Sequence, residues 1–109
     1  MLEFLFGNPT VEKVLFYVNV YGEAYAKQMS DSFGIRINGI QQQLKRLEEG
    51  GILVSQLKGK TRLYEFNPRY AFLKELKNLL DRAINALPEK EIERYYRNRT
   101  RPRRKGKPL

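Results

Sequence analysis

The chain contains no cysteine and no histidine among its 109 residues. Without cysteine there are no disulfides and no thiol chemistry. Without histidine the commonest metal ligand and the commonest general base are both missing. No apolar run approaches the roughly 20 residues needed to span a bilayer. The opening stretch, MLEFLFGNP, is shorter than a signal peptide and lacks its basic start. The expectation is a cytoplasmic protein with no metal, no cofactor and no membrane partner. No glycine-rich phosphate loop is present, and Ser30, Ser32 and Ser55 have no plausible base beside them. Catalysis is therefore not expected. The length suits one domain with a modest core, too small to carry an enzyme cleft as well.

What the chain does have is basic charge, placed unevenly. Lys and Arg number 21 against 12 acids, a net charge of +9. Residues 94 to 109 hold eight of those bases and no acid, so the rest of the chain is nearly neutral. Basic tails of this kind usually meet polyanions, although a solvated, solubilising terminus has the same composition. The organisation read from this is a domain over residues 1–97 and a disordered basic tail over 98–109.

Asn8-Pro9 opens the first periodic segment as a cap followed by a first-turn proline. Val11, Val14, Leu15 and Val18 then recur at helical spacing, and Gly22 interrupts them. A second helix is expected over Glu23–Phe33, stopped by Gly34. A third runs from Asn38 to Glu49 and ends at Gly50-Gly51. Two short runs, Ile52–Leu57 and Thr61–Phe66, flank Lys58-Gly59-Lys60 and read as a hairpin. Asn67-Pro68 repeats the Asn8-Pro9 device and starts a long helix to Leu87, broken by Pro88. A polar helical turn or two follows through Glu89–Arg97. The fold class is mainly α with a β-hairpin.

On the third helix, Ile40, Leu44 and Leu47 fall on one face and Asn38, Gln42, Lys45 and Glu49 roughly opposite. Gln41 and Arg46 flank the outer face. A glutamine amide matches the N6/N7 edge of adenine in the major groove, and an arginine matches guanine O6/N7. Asn38, Gln41, Gln42 and Arg46 are thus candidate base readers, and Lys45 a phosphate contact. A solvated surface helix of good helix formers has the same composition.

The stretch GIRINGIQQQLKRLEEGGIL resembles the recognition half of a winged helix-turn-helix, as found in ArsR-like and MarR-like transcriptional regulators. Gly34 matches the turn between two helices, Ile40 and Leu44 the inward positions, and Gly51 the glycine before the wing. The resemblance covers roughly residues 8 to 88. It implies sequence-specific binding of double-stranded DNA by a homodimeric regulator, most simply a repressor. It also implies that Lys58, Lys60 and Arg62 at the wing, with Arg36 at the helix entrance, meet the DNA backbone. The helix after Pro68 matches the dimerisation helix, with Leu73, Leu76, Leu80, Ala83 and Leu87 as its interface stripe. Leu2, Phe4, Leu5 and Phe6 are candidates for the same interface, or for covering the stripe within one chain. Two departures stand out. Relatives often begin the recognition helix with Ser or Thr, whereas here Arg36 is a poor cap and Asn38 a good one, so the helix is expected to start at Asn38. Metal-sensing members of the ArsR-like group use Cys, His and acidic clusters, and this chain has neither Cys nor His, so metal sensing does not carry over.

In the tail, Arg101, Arg103, Arg104, Lys105 and Lys107 alternate with proline and glycine. Such a segment can follow a narrow minor groove in extended form. The alternative reading of the whole chain is a winged-helix module for protein or RNA, with the tail as its binding element.

Overall fold

A computed structural model describes residues 1–97. The tail candidates Arg101, Arg103, Arg104, Lys105 and Lys107 lie outside the described residues. A four-residue helix, α1 (Glu3–Phe6), precedes the central helix α2 (Pro9–Tyr21). Asn8 caps α2 as its sequence suggests, its side chain accepting a 2.9 Å hydrogen bond from the Val11 N–H. Val11, Val14, Leu15, Phe16 and Val18 of α2 are buried at the middle of the core.

The segment expected to be one helix from Glu23 is two elements. Glu23–Tyr25 forms a strand, β1, and helix α3 begins only at Ala26 and ends at Phe33. Ala24 is buried, and β1 pairs antiparallel with a strand far along the chain, Ala24 facing Tyr64. The Gln28 side chain accepts from the Tyr25 N–H at 2.8 Å and so fixes where α3 starts. Gly34 ends α3 at φ +68°, a left-handed conformation that L side chains rarely adopt.

Helix α4 spans Ile37–Glu49, followed by β2 (Leu53–Lys58) and β3 (Thr61–Phe66). The three strands form one antiparallel sheet in the order β1-β3-β2. β2 starts one residue later than the hydrophobic run suggests. Gly59, at φ +65°, makes the hairpin tip.

The long helix is shorter than expected. Asn67-Pro68 does not cap it. The Asn67 carboxamide instead accepts from the Arg69 N–H at 3.0 Å and donates to the Gly51 carbonyl at 2.8 Å, tying the chain back to the start of the hairpin. Helix α5 covers only Leu73–Ile84. Its apolar stripe, expected to be offered to a second copy, is largely covered within this chain. Leu80, Ala83 and Leu87 are buried, and Leu73 and Leu76 pack against the same core. The reason is geometric: a helix of three turns lies with this stripe toward α2 and the core.

The chain then makes a turn of helix, α6 (Glu89–Glu91), and a π-helical turn, Ile92–Tyr96. This segment is not simply polar. Tyr96 is 3% exposed and meets the Phe16 ring edge-on at 5.5 Å. Phe33 and Tyr95 join that aromatic group, and Lys13 lies over both of their rings. The Tyr21 hydroxyl donates to the Arg97 carbonyl at 2.9 Å, which pins the end of the described chain to α2.

Candidate nucleic-acid interface

Helices α3 and α4 are joined by a tight turn. The Gly34 and Ile35 N–H groups donate to the Ser30 carbonyl at 2.9 and 3.2 Å, and the Ser30 hydroxyl donates to the Ile35 carbonyl at 2.6 Å. This closes the turn on itself and sets the angle at which α4 leaves it.

Helix α4 starts at Ile37, one residue earlier than expected, with Arg36 in the capping position and no side chain bonded there. The Arg36 carbonyl accepts from the Gly39 and Ile40 N–H groups, so backbone bonds alone begin the helix. Burial of Ile40, Leu44 and Leu47 supplies the stability that a side-chain cap would have added. Asn38 is therefore an exposed residue of the first turn and caps nothing.

Asn38, Gln41, Gln42 and Lys45 line one shallow depression on the outer face of α4. Four of the candidates thus share a surface. Arg46 does not join them. Its guanidinium donates at 2.9 Å to the Gln43 side chain, which also accepts from Asn8 at 3.4 Å. Arg46 borders a different, apolar groove with Leu5, Phe6 and Tyr70. Arg36 is exposed at the entrance of α4.

The wing cations are placed by the hairpin register, Lys58 facing Thr61 and Leu57 facing Arg62. The Thr61 hydroxyl donates to the Lys58 carbonyl at 3.2 Å across the tip. The Arg62 guanidinium donates to the Ser55 hydroxyl at 3.1 Å, and Ser55 donates to the Glu48 carboxylate at 2.8 Å. Lys60 and Arg62 line a groove between the wing and α4 whose opposite wall carries Ile37 and Gln41. Tyr64 also lines it. Burial pushes the Tyr64 phenol above its ordinary value, and the Glu48 carboxylate adds to the effect.

Lys27, Ile37 and Leu57 belong to this groove and were not among the sequence candidates. Ile37 precedes Asn38, where the sequence suggests the helix begins, and so falls outside the expected helix. Its spacing of four from Gln41 was the available signal. Lys27 left no such signal, because its position depends on α3 starting at Ala26.

Among the described residues no group of acidic side chains is placed to hold a metal ion. No helix among them is long and apolar enough to cross a membrane.

A helix–turn–helix followed by a two-stranded hairpin, with a third short strand completing the sheet, is a winged helix. Solved structures share this fold. The chain is similar to the YusO protein from Bacillus subtilis, with 16% identity and a TM-score of 0.56 over 79% of this chain and 67% of that one. It is similar to the adhesin competence repressor AdcR from Streptococcus pyogenes, with 14% identity and a TM-score of 0.53 over 79% and 72%. It is also similar to apo ZitR from Lactococcus lactis, with 13% identity and a TM-score of 0.54 over 84% and 78%. No protein-family model matches the chain, and no curated protein matches it in sequence.

Proposed function

We propose that this chain is a transcriptional regulator of MarR-like type that binds specific sites on double-stranded DNA, and that it is not an enzyme. The observation that carries the reading is the single exposed surface formed by Asn38, Gln41, Gln42 and Lys45 on α4. Beside it, Lys60 and Arg62 of the wing line a groove with no acidic member. Helix α4 enters the major groove, with Gln41 and Gln42 facing adenine edges and Asn38 beside them. Lys45, Arg36, Lys58, Lys60 and Arg62 meet phosphates and set the register. Arg46, held by Gln43, contributes charge near the DNA rather than base recognition. The tail cations Arg101, Arg103, Arg104, Lys105 and Lys107 add affinity through counterion release. The winged-helix fold shared with a protein named as a repressor supports repression as the mode of action.

The regulator acts as a homodimer in the cytoplasm, since two copies place two recognition helices on a two-fold DNA site. Support comes from large apolar residues left bare on the α1 and α5 regions: Phe4, Leu5, Phe72 and Leu79. Leu73 and Leu76, half-buried, border this surface.

The test is selection from a pool of random duplexes with the purified chain. The reading predicts enrichment of a motif with two-fold symmetry. An unenriched pool contradicts it.

A further inference from the structure

Ile37 is the first helical residue of α4 and lies outside the core cluster, with 37% of its surface exposed. Gln41, four residues on, stands on the same side of the helix. Across the groove Leu57 of β2 is 62% exposed. Lys60 and Arg62 line the same groove with Lys27, which is paired with Asp31 at 3.0 Å; no acid is among the lining residues. An aliphatic side chain is thus partly exposed beside an amide, with the wing cations Lys60 and Arg62 along the same groove.

That combination has a chemical match. Cations at the rim suit phosphates on either side. A glutamine amide suits the N6/N7 edge of adenine, and an aliphatic group suits the C5-methyl of thymine; both features lie on the major-groove edge of an A·T pair. Aspartate or glutamate at the rim would repel the backbone, and lysine in place of Ile37 would gain phosphates without selecting a base.

We infer that Ile37 is a specificity-determining residue that reads a thymine methyl, next to the adenine contacted by Gln41. The preferred site therefore carries a required thymine beneath the first turn of α4 in each half. The inference rests on the DNA reading above and adds the base that the first turn demands.

The experiment takes the duplex selected by the purified chain and replaces its thymines with deoxyuracil one at a time, which removes the methyl and leaves pairing intact. The expected result is one thymine per half-site whose replacement weakens wild-type binding about fourfold, the transfer value of one buried methyl. Ile37→Ala is expected to lose that sensitivity, and Ile37→Val to keep it. Ile37 is exposed, and the uracil series on the wild-type chain needs no variant to fold. A selected site at which no thymine is methyl-sensitive overturns the inference and leaves the DNA reading standing. Equal sensitivity in Ile37→Ala also overturns it. Failure to select any duplex overturns both.

Discussion

The Ser55 hydroxyl donates to the Glu48 carboxylate at 2.8 Å and accepts from Arg62 at 3.1 Å, so one side chain links the last turn of α4 to both strands of the wing. Glu48, though exposed, thereby has its carboxylate engaged by the wing. The wing and α4 are held at one angle by this relay, and Arg62 is held where it lines the groove.

Ser55→Ala removes both bonds of the relay. All three side chains are exposed or half-exposed, so fold stability is expected to change by less than about 1 kcal/mol. DNA affinity is expected to fall by an amount on the order of 1 kcal/mol, because the wing must then be ordered on binding. Paired denaturation and anisotropy titrations check this. Equal effects on folding and on binding would make the relay a stability feature only.

Gly39 sits in the first turn of α4, where glycine weakens a helix. A Cβ built there meets only the Ile35 Cγ2 atom, at 3.5 Å, which is an ordinary contact. Gly39→Ala is expected to raise stability by about 0.5–1 kcal/mol, read as a shift in the urea midpoint at constant slope. A destabilised variant would mean that the helix starts elsewhere.

Leu79 and Leu80 are neighbours with opposite tasks. Leu80 is fully buried, and Leu80→Ala is expected to cost about 2–5 kcal/mol of fold stability. Leu79 is exposed, and Leu79→Ser is expected to leave stability within about 0.5 kcal/mol while weakening self-association in sedimentation equilibrium. Unchanged association in Leu79→Ser would remove this face from the proposed dimer.

The Tyr96 hydroxyl is buried and has no hydrogen-bond partner among the described residues. Burial raises its pKa far above the ordinary 10.0, and the Glu91 and Glu12 charges add to the shift. Below pH 10 the phenol is neutral in both folded and unfolded chains, so nothing is lost. Above it the unfolded chain ionises and the fold does not, so stability falls as pH rises. Tyr96→Phe is expected to flatten that alkaline decline in melting temperature and to be neutral or slightly stabilising at pH 7. A Tyr96→Phe chain as pH-sensitive as the wild type would place the alkaline loss elsewhere, in Tyr17 or Tyr64, whose phenols burial also raises.

Much of the fold was legible because it rests on local rules. Asn8-Pro9 starts α2 in the structure as in the sequence. Ile40, Leu44 and Leu47 mark the inner face of α4, and Lys58-Gly59-Lys60 marks the hairpin tip. What escaped depends on distant partners. Three residues of β1 carry no usable period, and their conformation is decided by β3. Asn67-Pro68 spells a helix cap, yet Asn67 is drawn into a turn by the Gly51 carbonyl. The stripe on α5 reads the same whether a second copy or α2 covers it. Within the candidate site, helical spacing puts Gln42 on the outer face, where the structure has it, but spacing does not show that Gln43 holds Arg46 away from that face.

On the proposed reading, Gln42 reads DNA sequence from α4. The direct measurement is an anisotropy titration of wild type and Gln42→Ala on the selected duplex and on a scrambled duplex at one salt concentration. The expected result is a loss of about 1–3 kcal/mol on the selected duplex and little change on the scrambled one. Equal losses on both duplexes, or no loss on either, would contradict it.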